Sequence, residues 1–398
     1  MTHLKQLICG LFFISAAPVG AAESHDHAAH MGHANDCSDA ALACSDKAQP
    51  FFDREGRLWL AWQGGGRIAV ASSTDGKSFT SPVFITPDPI AADVGADSRP
   101  QIIRDGSGVI SVIYSVMQKS GYNGRIYLSQ SKDGGVSFSQ PRPVTDDAAS
   151  QRFPALAVDK TGRALAVWID KRTARAAKPP YDGAALAFAW IDGAGAQPTS
   201  IMRENSCECC RVAITFDTAG NPAAMWRQIF PGMIRDHAVT TFKDGMPGPM
   251  YRVAEDKWNI DACPHHGPAI AISAGGAYHV AWFTEGDARQ GLFYATSQDG
   301  GAHFTLPAPI GAADKNPGRA QLLAIGKDVW LAWQEFDGTT VSILAKKRAG
   351  TGWAPSRVLA TTQDASDLPV LIANGAHPYL SWLTAKEGYR LISLEAAP

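Results

Sequence analysis

Seven times along the chain, an apolar run breaks at a turn marked by Gly with Asp, Asn or Lys. It then resumes as a second run of alternating small and large apolar residues closed by an aromatic. The units are "FFDREGRLWLAW" ending at Trp62, "IIRDGSGVISVIY" at Tyr114, "LAVDKTGRALAVW" at Trp168, "ITFDTAGNPAAMW" at Trp226, "IAISAGGAYHVAW" at Trp282, "LLAIGKDVWLAW" at Trp333 and "VLIANGAHPYLSW" at Trp382. Each reads as two antiparallel strands joined by a tight turn. The closing aromatics fall 49 to 58 residues apart, which suits one four-stranded blade per unit. The pattern predicts an all-β chain folded as a β-propeller of seven blades, with six as the alternative count. The stretch "GYRLISLEAAP" supplies a third strand to the final unit, and a strand from near the N-terminus is expected to complete that blade and remove its open edge.

Composition agrees with many short strands. The 398 residues are 45% hydrophobic and include 38 glycines and 25 prolines, enough apolar mass for a large core and enough turn formers to divide it finely. A formal net charge of -2 with no lysine-arginine run excludes the electrostatic footprint of a nucleic-acid or anionic-membrane binder. The first 22 residues carry an early lysine, an apolar run over 7–17 and small residues at Gly20, Ala21 and Ala22, the layout of a secretory signal peptide. No stretch approaches the roughly 20 apolar residues of a membrane span. The expected product is exported, periplasmic or secreted, with residues 23–49 forming a His-rich arm and 50–398 the propeller.

A second motif refines the class. "SKDGGVSF" at 131–138 and "SQDGGAHF" at 297–304 match the pattern S-x-D-x-G-x-x-F, and "STDGKSF" at 73–79 is the same turn one residue shorter. An Asp and a Ser brace each hairpin, glycines take the positive-φ positions and the aromatic packs back onto the blade. These Asp-boxes resemble those of the sialidase and neuraminidase superfamily. The resemblance covers roughly residues 50–390 and implies a propeller whose boxes sit at the blade rim. It also implies an arginine triad for a substrate carboxylate: "QRFPAL" at 151–156 is similar to the family's arginine motif, and Arg99, Arg152, Arg211 and Arg319 all stand at blade entrances. The family's Tyr and Glu nucleophile pair has no counterpart, and the arginine motif stands in the third unit instead of the first. A branch of the superfamily without its catalysis is therefore expected.

The remaining chemistry is sulfur and imidazole. Export places cysteines in an oxidising compartment where disulfides persist. Outside the signal there are six: Cys37, Cys44, Cys207, Cys209, Cys210 and Cys263. Cys37 and Cys44 are close in sequence and expected to bridge locally. "NSCECCRVAI" enters the inner strand of the fourth unit and "DACPHHGPAIAI" that of the fifth, so adjacent blades present both segments to one neighbourhood. In extended backbone, Cys207, Cys209, Cys263 and His265 could share a face, with Cys210 and His266 as substitutes.

Three readings compete for this cluster. One is disulfides, joining a fourth-unit cysteine to Cys263 or the vicinal Cys209 and Cys210. Another is a closed zinc site. The third is a copper site, since thiolate, imidazole and thioether suit Cu(I), and Met202, Met225 and Met233 lie close in sequence. "SHDHAAHMGHANDC" adds His25, His27, His30, His33 and Met31 in a polar, small-residue tract of metal-binding composition. The sequence thus points to an exported propeller that binds copper, with zinc as the other metal, in metal homeostasis or in delivery, for which another exported metalloprotein is the candidate partner. A sialidase-like glycoside hydrolase and a metal-free disulfide-stabilised interaction scaffold are the alternatives.

Overall fold

A computed structural model describes residues 42–45, 47–95, 97–119, 123–174, 183–350 and 352–395. The signal segment, the histidine arm and Cys37 lie outside the described residues. The chain is a β-propeller whose regular elements among the described residues are strands, apart from two short 3-10 turns at Leu42–Cys44 and Ala313–Lys315.

The expected hairpins form in every unit. Ala48–Phe52 pairs antiparallel with Leu58–Gly64, and Gln101–Arg104 with Ile110–Met117. Gln151–Val158 pairs with Ala164–Asp170, and Ala213–Phe216 with Pro222–Phe230. Ala269–Ile272 pairs with Tyr278–Gly286, Gly318–Ile325 with Asp328–Phe336, and Val370–Asn374 with His377–Thr384. The first strands of successive units lie side by side, and the last lies beside the first, so the ring is closed.

The turns repeat one device. Asp53 accepts the backbone N–H groups of Glu55 and Arg57, Asp105 those of Ser107 and Val109, Asp159 those of Thr161 and Arg163, and Asp217 those of Ala219 and Asn221. The glycine just after each, such as Gly162 at φ 93°, takes the left-handed conformation that lets a short turn close a twisted hairpin. The S-x-D turns are braced by their own side chains. Ser131 donates to Asp133 at 2.8 Å and Ser297 to Asp299 at 2.7 Å, and Phe79, Phe138 and Phe304 pack on the blade cores.

All seven closing aromatics are buried, none more than 2% exposed. A buried indole needs an acceptor. Trp168 donates to Asp170, Trp226 to Gln228, Trp282 to Asp256, Trp333 to Glu335 and Trp382 to the Asp367 carbonyl.

Two features depart from a simple ring of separate blades. Ser200–Ser206, the outer strand of the third unit, bridges to Pro222–Phe230 of the fourth at the Ser206 and Gln228 pair, which fuses both units into one nine-stranded sheet. The final unit has three strands among the described residues, and no strand from near the N-terminus joins it there. The turn Leu42–Cys44 does sit beside Gly388–Ser393, with Leu42 packing in the same core cluster as Leu391.

Candidate thiol centre and axial arginines

The seam between the third and fourth units builds the cysteine site. After Ser206 the Cys207 amide donates to the Arg227 carbonyl at 2.9 Å, and Glu208 and Cys209 then form a turn before the chain enters Ala213–Phe216. Because the chain turns here, the strand alternation expected for these cysteines does not apply. Cys209 leaves toward the fifth unit and forms a disulfide with Cys263, at a Cα separation of 5.7 Å. Cys207 and Cys210 remain free thiols that face each other, with sulfurs 2.9 Å apart. Cys207 Sγ is also 3.8 Å from Cys209 Sγ, and the three sulfurs lie within 4.8 Å of one another. All three are buried, at 0%, 3% and 2% exposure, in a core cluster that includes Met202 and Trp226. Cys263 is exposed.

Two arginines set the electrostatics. Arg235 points Nη1 at Cys207 Sγ, 3.7 Å away, while the same nitrogen donates to the Ala262 carbonyl at 2.8 Å. Arg227, 1% exposed, donates to the carbonyls of Arg235, His266 and Phe283 and lies over the Trp258 ring at 4.4 Å. Those three acceptors are neutral, so they leave its charge uncompensated. The hydrogen bond from Cys210, then the charges of Arg227 and Arg235, bring the Cys207 thiol down to about 6 against the opposing effect of burial. Burial first, and the neighbouring Cys207 second, push the Cys210 thiol well up. One thiolate and one thiol is the favoured state of the pair.

The histidines stand apart. His265 adopts φ 48°, and Arg319 donates to its carbonyl. His266 stacks on Phe283 with ring centroids 4.1 Å apart. Burial, then the charges of Arg319, Arg227 and Arg211, hold His266 well below the usual imidazole range, and its Nδ1 is buried without a hydrogen-bond partner. Neither histidine joins the three-sulfur group among the described residues.

Each of the four arginines at blade entrances faces a carboxylate. Arg99 grips Asp367 with both terminal nitrogens, at 2.7 and 3.2 Å. Arg152 grips Asp93 at 2.7 and 2.8 Å. Arg211 and Arg319 share Asp97, at 3.4 and 3.6 Å from one of its oxygens. Burial pushes Arg211 down to about 10, with Asp97 opposing. Gly267 makes room for Arg211, since a Cβ there would collide with its side chain.

The sequence named Cys207 and Cys210 as candidates but not as a pair; they stand at C-x2-C spacing, hidden by treating the segment as extended. Other residues of the site were not named. Arg227 carried a usable signal. It follows the closing Trp226 where the other units have Gln63, Ser115, Ile169, Phe283, Gln334 and Leu383, so a charge stands in an otherwise uncharged column. The carboxylates Asp93, Asp97 and Asp367 had none, because their partners come from other units.

No protein-family model and no curated protein sequence matches this chain. Solved structures do resemble it. An ulvan lyase from a new polysaccharide lyase family aligns with a TM-score of 0.58 at 10% identity, covering 89% of this chain and 92% of that one. Another polysaccharide lyase aligns at 0.55 and 9% identity, covering 89% of each. A Hadza microbial sialidase aligns at 0.49 and 13% identity, covering 86% of this chain and 77% of that one. At such identities the likeness is one of fold, and a propeller hosts many chemistries.

Proposed function

We propose that this chain is an exported, seven-bladed propeller that binds a soft transition metal, Cu(I) first, in metal homeostasis or delivery to another exported metalloprotein. The observation that carries the reading is the group of three buried sulfurs, two of them free thiols, held on a rigid seam. The donor set fits a soft ion. Two thiolates around Cu(I) carry one net negative charge, which Arg227 would balance, Arg235 being paired with Asp261 at 3.5 Å. Two thiolates around Zn(II) carry none, and a closed zinc site needs four ligands where the disulfide leaves two cysteines free. Holding an ion requires the 2.9 Å sulfur pair to widen. Cys207 and Cys210 thus become the first ligand candidates. Cys209 and Cys263 take part only when reduced, and His265 and His266 only if their segment moves. His25, His27, His30 and His33 form a second, weaker site in this reading.

The test is anaerobic competition for Cu(I) against a coloured chelator. The wild type should withdraw copper, Cys207→Ser and Cys210→Ser should lose that ability, and His265→Ala should keep it. Equal competition by all four proteins would refute the thiol site. The sialidase-like alternative draws on the propeller likeness and the arginines, but those arginines already hold the chain's own carboxylates.

A further inference from the structure

We infer that Cys207, Cys210 and the Cys209–Cys263 bond form a thiol-disulfide relay that carries one disulfide between a buried pair and an exposed cysteine. The geometry points to it independently of any metal. Cys207 Sγ lies 3.8 Å from the bonded sulfur of Cys209 and 2.9 Å from the thiol of Cys210. The far sulfur of the disulfide belongs to Cys263, which is exposed, whereas the other three cysteines are buried. Arg235 ties the Cys263 segment to this spot, since one nitrogen reaches both Cys207 Sγ and the carbonyl of Ala262.

The chemistry balances without an outside oxidant. Cys207 as thiolate attacks Cys209 Sγ; a Cys207–Cys209 bond forms, the Cys209–Cys263 bond breaks and Cys263 departs as thiolate. Water can solvate that leaving group. Cys210, giving up its proton, then attacks Cys207 Sγ, a Cys207–Cys210 bond forms and Cys209 departs as thiolate. The two protons of Cys207 and Cys210 end on Cys263 and Cys209. One disulfide is present before and after, and no electrons are gained or lost.

The two end states differ in what the surface offers. With the bond at Cys209–Cys263, the buried pair is a dithiol. With the bond at Cys207–Cys210, the buried sulfurs are closed and Cys263 presents a free thiol that can exchange with a partner's disulfide. The relay would therefore govern whether the buried sulfurs can act as ligands at all.

The experiment is maleimide trapping on full-length protein, purified anaerobically in chelator so that metal plays no part, with linkages mapped by mass spectrometry after acid quench. In the wild type, Cys263 should acquire label while the Cys207–Cys210 linkage accumulates. In Cys207→Ser the labelling of Cys263 should slow by at least about tenfold, because the attacking sulfur is gone. In Cys210→Ser, Cys263 should still label, with the disulfide arrested at Cys207–Cys209. That arrested product demonstrates the first attack even if the Cys207 variant misfolds, and Cys207→Ala with unchanged tryptophan fluorescence repeats the rate measurement. Three results would overturn the relay: a wild type whose Cys263 stays unlabelled with its disulfide intact, equal labelling with and without Cys207, or chains isolated with both disulfides present at once. Because no metal is present, a failed copper competition leaves this outcome unaffected.

Discussion

Arg99 and Asp367, 268 residues apart, meet in a two-pronged buried ion pair where the ring closes. The same carboxylate accepts the amide of Ala48 at 3.0 Å, and Arg99 also donates to the Ala48 carbonyl at 3.3 Å. Three units, the first, second and last, are thereby tied at one point. Removing one partner of a buried pair strands the other charge, at a cost of about 3–5 kcal/mol. Arg99→Ala should lower the midpoint of urea unfolding accordingly, and Arg99→Ala with Asp367→Ala should recover part of the loss. An unchanged midpoint in the single variant would show that the ring closes by other means.

Sialosides should not be turned over. Arg152 is committed to Asp93 by two short hydrogen bonds, and a retaining glycosidase needs an activated nucleophile and a separate acid. A fluorogenic sialoside should give background rates with both wild type and Arg152→Ala. Turnover that vanishes in Arg152→Ala would restore the hydrolase reading.

The thiol pair predicts a pH profile for metal-free protein. The folded chain holds Cys207 near 6 against an ordinary value of 9.0. A depressed acid contributes fully above its unfolded value and loses that contribution as pH falls through its folded one. Stability should therefore rise between about pH 6 and pH 9. Cys210 is shifted upward, so above about pH 9 the unfolded chain sheds a proton that the folded chain keeps, and stability should decline there. Urea midpoints measured across this range should show both slopes in the wild type. Cys207→Ser should flatten the lower one; an unaltered slope would assign it to other groups.

The histidine arm should be dispensable for folding. Deleting 23–36 removes a polar, small-residue tract too poor in apolar side chains to bury surface. The metal-free deletion variant should melt with the wild type while binding fewer ions, as counted by elemental analysis. A lowered melting temperature would make the arm structural.

Much of the fold was legible because its determinants are local and repeated. A strand, a turn with Asp and Gly, and a second strand ending at Trp168 or Trp282 can be read within a dozen residues, and periodicity places the blades. The Asp-boxes at Ser131 and Ser297 were legible for the same reason. The site was legible only in part. Adjacency of the two cysteine segments followed from blade order, and a bond from the fourth unit to Cys263 was among the readings it left open. Which cysteine makes that bond depends on the turn at Glu208 and Cys209, which follows directly on the pairing of Ser206 with Gln228 across two units. The partners of the arginines are likewise products of closure: nothing near Arg99 in the chain announces Asp367.

The Ser206 and Gln228 bridge has a dynamic consequence. Elsewhere the described units meet through packed side chains, scattered polar bonds and, between the fourth and fifth, the Cys209–Cys263 disulfide, without a shared sheet. Between the third and fourth units one strand pair, Ser206 with Gln228, bridges the sheets, so separating them means breaking main-chain hydrogen bonds, including that from the Cys207 amide. These two units should move as one body, and the amides around residues 206–207 should be among the last to exchange with deuterated solvent. The cysteines are thus mounted on a joint tied by main-chain hydrogen bonds, with the exposed Cys263 as the side open to a partner.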